Sequence, residues 1–187
     1  MRKINAILGP VLIVLLLIHS ISGSFQLSSI ISASNLRTVL SYVLLGVTGL
    51  HTVIGIILTI QTLNACKRAG THYFKNNESF WIRRVSGLAI VLLVIYHVIV
   101  FTGTQGEAFR LNSFGILQVI AHIVLALALA IHLMFNIRPL CIAFGLENRK
   151  FIKDAAVILA IVMLAAAIAF IYYYLRWNVL WTYGGIG

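Results

Sequence analysis

Residues 80–97 read FWIRRVSGLAIVLLVIYH, and this stretch decides the fold. An aromatic and basic start, with Trp81, Arg83 and Arg84, leads into a long apolar run that reaches His97. An imidazole about four helical turns into an apolar helix is costly in hydrocarbon unless another group binds it. Three other apolar segments also carry histidine. Together they predict a membrane helix bundle whose interior is organised around imidazole side chains.

Composition supports a membrane protein. The 187 residues are 61% hydrophobic and only 10% charged, whereas a soluble domain needs far more charge to cover its surface. Apolar runs of about 20 residues, enough to cross roughly 30 Å of hydrocarbon, recur along the chain. We therefore expect an all-α integral membrane bundle, a single membrane domain over residues 1–187, whose chemistry on soluble substrates belongs to partners.

The hydropathy pattern predicts five transmembrane helices, at about residues 4–23, 36–64, 80–101, 113–136 and 154–175. Residues 20–35 are Ser-rich and uncharged, which predicts an outer loop or short surface helix, with Asn35 capping the second helix. The fourth helix is expected to end before Arg138 and Pro139, because a residue that precedes proline disfavours helical geometry. Residues 103–112 and 140–153 are then connections.

The net charge of +10 would suggest nucleic acid in a soluble protein, but here the basic residues lie in short connections and favour topology and anionic lipid instead. Cys66 and Cys141 form no CxxC motif, so neither an iron–sulfur motif nor covalent haem attachment is present. A cytoplasmic N-terminus and an outside C-terminus place Arg37, Arg110 and Arg176 outside and eleven basic residues inside: Arg2, Lys3, Lys67, Arg68, Lys75, Arg83, Arg84, Arg138, Arg149, Lys150 and Lys153. Tyr172 to Tyr174, Trp177, Trp181 and Tyr183 would form an outer aromatic belt.

Depth along the helices divides the histidines into two layers. At 1.5 Å per residue, His19 lies about 24 Å above Lys3, and His97 about 20 Å above Arg84, so both belong to an outer layer. His132 lies only about 9 Å from Arg138, in an inner layer. His51 is roughly 21 Å below Arg37 and joins the inner layer if helix two projects into the cytoplasm; the count from Lys67 places it nearer mid-membrane.

A lone histidine in an apolar helix is more often a core residue hydrogen-bonded to a carbonyl, but one in each of four successive helices is typical of a bundle that holds cofactors. His19 with His97, and His51 with His132, can each ligate a haem iron from both faces. Such a haem has no open position and transfers electrons. Two stacked haems would carry electrons across the membrane.

Further residues are candidates for roles around the haems. Gly9 and Gly87 each precede a histidine by ten residues and would lie beside the inner haem, although small-residue helix packing explains them equally well. Arg83 and Arg84 are candidates to neutralise its propionates or simply to anchor the helix inside. His122 has the depth of the outer layer, where it either adjoins a quinone or is a hydrogen-bonded core residue. His72 lies in a polar loop and is expected to be solvated.

These residues resemble the di-haem cytochrome b membrane-anchor subunit of succinate dehydrogenases and fumarate reductases. The third-helix pattern is an aromatic pair, a hydroxyl–Gly step and a histidine ten residues later. The first helix matches at the same Gly-to-His spacing, and the second and fourth helices are similar in short patterns around their histidines. The residues that carry the resemblance are Gly9 and His19, then Gly49, His51 and Gly55, then Phe80, Trp81, Ser86, Gly87 and His97, and finally His132, Arg138, Phe144 and Gly145.

The resemblance implies a distal haem b on His19 and His97 and a proximal haem b on His51 and His132. It implies a FAD flavoprotein and an iron–sulfur subunit as partners on the cytoplasmic face of the inner membrane, and menaquinone as the quinone. The chain would be the subunit of a succinate:quinone oxidoreductase that lacks the dicarboxylate site. Glu107, Arg110 and His122 are candidates for the quinone pocket.

Two positions depart from that family. Some members carry a glutamate two residues before the fourth ligand, where this chain has Ala130, and some carry an acid near the first outer loop, where residues 20–35 have none. The proton path and the quinone base are therefore open. Two alternatives remain: another di-haem membrane cytochrome b that serves a different soluble dehydrogenase or reductase, and a haem-free assembly or transport protein.

Overall fold

The computed structural model describes residues 1–32, 34–71, 77–102, 114–176 and 178. Several sequence predictions lie outside the described residues. These concern the loop histidine, one inner lysine, the two charged quinone-pocket candidates and part of the aromatic belt: His72, Lys75, Glu107, Arg110, Trp177, Trp181 and Tyr183.

The described residues form five α-helices and no strand: α1 Arg2–Leu27, α2 Asn35–Arg68, α3 Glu78–Phe101, α4 Ile116–Ala143 and α5 Arg149–Leu175. All five are long and apolar enough to cross a membrane. The predicted all-α architecture of five apolar spans is therefore confirmed. The direction in which the helices cross stays a prediction.

The connection between α1 and α2 is shorter than expected, because α1 continues to Leu27. Residues 20–27, predicted as the last turn of this helix followed by a loop or short surface helix, are all helical, so α1 runs about one turn past its predicted end at residue 23. Their serines stay helical by bonding their own backbone: the Ser22 hydroxyl donates to the Ile18 carbonyl at 2.6 Å, and the Ser24 hydroxyl donates to the Ser20 carbonyl at 2.7 Å.

Side-chain caps set the starts of α2 and α3, and the one cap that was predicted lies one residue from its predicted place. Ser34, and not Asn35, caps α2, since its Oγ accepts the Arg37 N–H. Asn77 caps α3, because its Oδ1 accepts the Phe80 N–H at 3.1 Å. Both caps satisfy a backbone donor that has no partner within its helix.

The prediction that α4 ends before Arg138 and Pro139 was wrong, because the helix continues through both to Ala143. Pro139 stands only four residues before the end, so it removes a single N–H and leaves little helix to disrupt. At the end of α4, the Leu146 N–H donates to the Cys141 carbonyl at 2.9 Å, and Gly145 adopts a left-handed conformation with φ 71°.

The start of α5 also differs from the prediction, since residues 149–153 are helical instead of part of a connection. Asn148 caps this end: its Oδ1 accepts the N–H groups of Lys150 at 2.9 Å and Phe151 at 3.3 Å. The basic residues of this stretch therefore lie on the first turn of α5, and the connection from α4 shrinks to residues 144–148.

The helices pack in the order α2, α1, α5, α4, α3. Within these described helices, α2 and α3 stand at the two ends of this series and do not pack along one another. Helix α4 carries the most buried residues, and α1 has none. The four helices that carry histidine thus enclose one side of the bundle, while α5 braces α1 and α4 from the other side.

Two apolar clusters fix α4 against its neighbours. Leu133, Ile137 and Cys141 of α4 pack with Leu159 and Met163 of α5. Nearer the start of α4, Leu125 and Ala128 pack with Ile90 of α3. These clusters hold α3, α4 and α5 together as the densely packed part of the bundle.

Gly9 allows α1 to approach α4 closely. A Cβ at this position would stand 2.9 Å from Cδ1 of Leu140. The space beside Gly9 is therefore occupied by an α4 side chain, as the small-residue packing alternative predicts.

Replacement of Gly9 by leucine tests this contact. Gly9→Leu is expected to lower the free energy of unfolding by about 1–3 kcal/mol, because the added side chain must displace Leu140. Thermal unfolding in detergent measures the change. Gly23→Leu on the same helix is the control, since a Cβ there meets nothing within 4 Å. Leu140→Ala should restore part of the loss in the Gly9→Leu chain; equal melting temperatures for the two leucine variants would contradict the packing.

Candidate functional site

His19 and His97 face each other between α1 and α3. Their ring centroids are 6.0 Å apart and the ring planes are inclined at 79°. These helices are not packed neighbours in the described structure, so the two rings meet across the space that α1 to α4 enclose. The structure thus brings together the two histidines that the depth count places in the outer layer.

The His19 ring is held by α2. Its Nδ1 lies 3.0 Å from Oγ of Ser41, and that hydroxyl also donates to the Arg37 carbonyl at 2.9 Å. A hydroxyl has one proton, so with that proton on the carbonyl, the Ser41 Oγ accepts the Nδ1–H of His19. The lone pair of His19 is then on Nε2, the atom left for a metal.

His97 sits among aromatic rings and lacks such a partner. Its Nδ1 is buried, and no described residue forms a hydrogen bond with it. Its ring centroid lies 4.9 Å from that of Phe101, 6.4 Å from that of Phe170 and 5.2 Å from that of His122. The surroundings of His97 are therefore apolar apart from the other imidazoles.

His122 is the most enclosed imidazole, with 1% of its surface exposed. Its Nδ1–H donates to the Gln118 carbonyl at 2.6 Å, which leaves an acceptor lone pair on Nε2. This buried Nε2 has no partner among the described residues. The rings of Phe170, Phe101 and Phe114 lie 4.6, 5.2 and 5.6 Å away. The Nδ1–H of His122 is thus satisfied by its own helix, whereas its Nε2 has no hydrogen-bond donor among the described residues.

His132 is seated on the Ser86–Gly87 step of α3. Its Nδ1 lies 3.1 Å from the Ser86 Oγ, whose proton goes to the Ile82 carbonyl at 2.6 Å. A Cβ at Gly87 would stand 3.3 Å from Cε1 of His132. The Ser86 hydroxyl, together with a backbone hydrogen bond to Arg83, therefore orients the ring, and the missing side chain of Gly87 makes room for it. This ring is one of the two predicted inner ligands.

His51 belongs to the same inner group. Its Nδ1 is buried without a partner among the described residues. His51 and His132 interact electrostatically, and Arg84 acts electrostatically on both rings. The predicted inner pair therefore shares one environment.

Arg84 connects α3 to α2 within this group. Its guanidinium carbon lies 5.0 Å from the centroid of the Phe80 ring, a cation–π arrangement. Its Nη1 stands 3.9 Å from where a Cβ of Gly55 would be, one turn beyond His51. Arg83 also acts electrostatically on His132. Both arginines thus supply positive charge at the inner histidines, where the sequence predicts propionate partners.

The donor set restricts what metal centre could bind here. In the described part of the chain, no three His, Cys, Asp or Glu side chains lie close enough to hold a metal ion. Two metal–nitrogen bonds of about 2 Å plus two ring radii of about 1.1 Å would separate imidazole centroids by roughly 6 Å. The outer pair, at 6.0 Å, fits this arrangement.

Sequence reasoning missed three contributors to the site. Ser41 lies between Thr38 and Thr48 on the same helix, so nothing in the sequence singles out its hydroxyl; Ser86 was noted only as part of a pattern. Phe114 and Phe170 carry no chemical signal in the sequence, and Phe170 comes from the one helix without histidine. Glu107 and Arg110 lie outside the described residues.

Comparison with known proteins gave no match to a family model, a curated protein or a solved structure. The resemblance to di-haem cytochromes b therefore rests on the motifs quoted above.

Replacement of Gly87 tests the seat of His132. Gly87→Val is expected to lower the free energy of unfolding by about 1–3 kcal/mol, because the added atoms strike a ring that Ser86 holds in place. Gly49→Val on α2 is the matched control, since a Cβ there meets nothing within 4 Å. Melting temperatures in detergent provide the measurement, and an unaltered value for Gly87→Val would rule out the close contact.

Proposed function

We propose that this chain is the membrane-anchor cytochrome b subunit of a succinate dehydrogenase or fumarate reductase. It would bind a distal haem b through His19 and His97 and a proximal haem b through His51 and His132. The observation that carries the proposal is the outer pair: two imidazoles, 6.0 Å apart, on helices that do not pack on each other within the described bundle.

The ligand chemistry supports this assignment. In each proposed pair, one ring donates Nδ1–H to a serine and directs the Nε2 lone pair elsewhere. Metal-bound imidazoles are held in this way, with the second nitrogen donating to an oxygen. When bound, haem supplies a reversible one-electron couple, and two histidine ligands leave it no open position.

The rest of the site serves the same purpose. Phe101 and Phe170 surround His97 with apolar rings, which would keep water from the distal site. Arg83 and Arg84 would balance the propionates of the proximal haem. These arginines bring positive charge close to two neutral imidazoles. An anion such as a haem propionate would balance this charge.

The length of α2 supports a partner-binding face at one end of the bundle. Helix α2 has 34 residues, or about 51 Å, which exceeds the roughly 30 Å of hydrocarbon. Its end with Lys67 and Arg68 would therefore stand in the cytoplasm, on the basic face of an inner-membrane protein. That face would receive the iron–sulfur subunit and the FAD flavoprotein.

The quinone, by resemblance menaquinone, would bind near the outer end. Among described atoms, the Nε2 of His122 is suited to accept a hydrogen bond from a hydroquinone hydroxyl, since it is an acceptor without a donor. Glu107 and Arg110 of the outer loop are proposed as further residues of this pocket.

A di-haem cytochrome b that serves a different soluble dehydrogenase or reductase is the second candidate. Ala130 favours it, because this residue packs against the apolar cluster of Leu133 and Met163, at a position where some members of the first family carry glutamate. Both candidates share the haem ligands and differ in the subunits that copurify with the chain.

The haem content tests the proposal directly. The purified protein is expected to contain two haems per chain and to show α-bands on reduction. His19→Ala or His97→Ala should remove the distal haem only, and His51→Ala or His132→Ala the proximal one, while His72→Ala retains both. A haem-to-protein ratio near one, or no α-band, would refute the two-haem assignment; copurification of a FAD and iron–sulfur pair decides between the two candidates.

His122 has its own test. His122→Phe is expected to keep both haems and to lower kcat/KM for the quinone about tenfold, the size expected from one lost hydrogen bond. Quinone-linked turnover of the intact complex measures this, with partner-side turnover using an artificial acceptor as the control. Loss of one haem in this variant would instead make His122 a ligand.

A further inference from the structure

Ser41 and Ser86 make the same arrangement twice, on different helices. Each donates its hydroxyl proton to the carbonyl four residues earlier, Ser41 to Arg37 at 2.9 Å and Ser86 to Ile82 at 2.6 Å. Each Oγ also lies within hydrogen-bond distance of a histidine Nδ1 on a neighbouring helix, at 3.0 and 3.1 Å. The repetition in two separate layers calls for one explanation.

The direction of these bonds follows from proton counting. A carbonyl can only accept, so the hydroxyl proton must lie on the bond to the backbone. The serine oxygen then offers only lone pairs to the imidazole, and Nδ1 must be the donor. His19 and His132 are thereby held as the tautomer whose Nε2 is free to bind a metal.

The other two proposed ligands are not held in this way. The Nδ1 atoms of His51 and His97 are buried and have no hydrogen-bond partner in the described part of the chain. Each proposed pair therefore combines one ring whose tautomer and orientation are fixed by a serine with one ring that lacks this constraint.

We propose that Ser41 and Ser86 are positioning residues, each fixing one axial ligand of one haem and setting the potential of that haem. This inference rests on the proposed function. An imidazole that donates its Nδ1–H to an oxygen becomes a more basic ligand through Nε2. A more basic ligand favours ferric over ferrous iron and so lowers the potential.

The two serines act on different haems. Ser41 contacts His19 of the distal pair, and Ser86 contacts His132 of the proximal pair. Removal of one hydroxyl should therefore raise the potential of one haem and leave the other unchanged, whereas general loosening of the bundle would disturb both.

Redox titration of the full chain, followed by its haem spectrum, tests the inference. Ser41→Ala should raise the potential of the distal haem, and Ser86→Ala should raise that of the proximal haem. In each case we expect the equilibrium between ferric and ferrous iron to change about tenfold, which corresponds to about 59 mV for one electron. Ser41→Thr and Ser86→Thr retain a hydroxyl and should stay near the wild-type values. Thr48→Val is the matched control, because the Thr48 hydroxyl donates to the Leu44 carbonyl in the same way.

The outcomes separate the two proposals. Absence of haem from the wild-type chain overturns the proposed function and this inference together. Two haems with unchanged potentials in both alanine variants, equal shifts of both haems, or threonine variants that behave like alanine overturn the inference alone. If an alanine variant loses haem, selective loss of the assigned one from a chain that still elutes as a folded protein supports the positioning role, and loss of both overturns it.

Discussion

The interior of this bundle depends on how imidazole groups are satisfied where water is excluded. A neutral ring presents one donor and one acceptor, and either is costly in hydrocarbon without a partner. Serines on neighbouring helices satisfy one nitrogen of His19 and one of His132. Buried nitrogens of His51, His97 and His122 still lack partners in the part of the chain that the structure describes. This remaining requirement is the physical reason for expecting a bound group.

The same requirement bears on how the helices are held together. Helices α3, α4 and α5 share apolar clusters, whereas α1 buries no residue and α2 only Ile54. Partly buried side chains of α1, among them Ile13 and Leu17, pack against the cluster that α4 and α5 share. Polar contacts also connect α2: Ser41 contacts His19 of α1, and Arg84 of α3 reaches the Gly55 region. A cofactor bound by histidines from α1 to α4 would therefore complete the link between α2 and α3, and its loss would affect α2 first.

Sequence reasoning predicted the five helices and the equal depth of His19 and His97, because both follow from simple quantities, apolar run length and the rise per residue. Helix ends were less predictable because they depend on individual hydrogen bonds. Asn148 caps α5 and starts this helix earlier than predicted. The serines near Ile18 extend α1, and Pro139 is tolerated close to a helix end. The serine contacts could not be predicted, because they depend on how each helix is rotated about its axis, and a single sequence does not determine that rotation.

The three outer imidazoles are not equivalent, and their separations indicate different uses. The rings of His97 and His122 are 5.2 Å apart, about 1 Å less than an iron bound between two imidazoles requires, while His19 and His97 at 6.0 Å meet that requirement. His122 also uses its Nδ1–H within its own helix, so its Nε2 can only accept. An acceptor next to a proposed haem ligand, enclosed by phenylalanines, is suited to a hydroxyl donor. Under the proposed function, the proton acceptor His122 would lie in ring contact with His97, a ligand of the haem that transfers electrons.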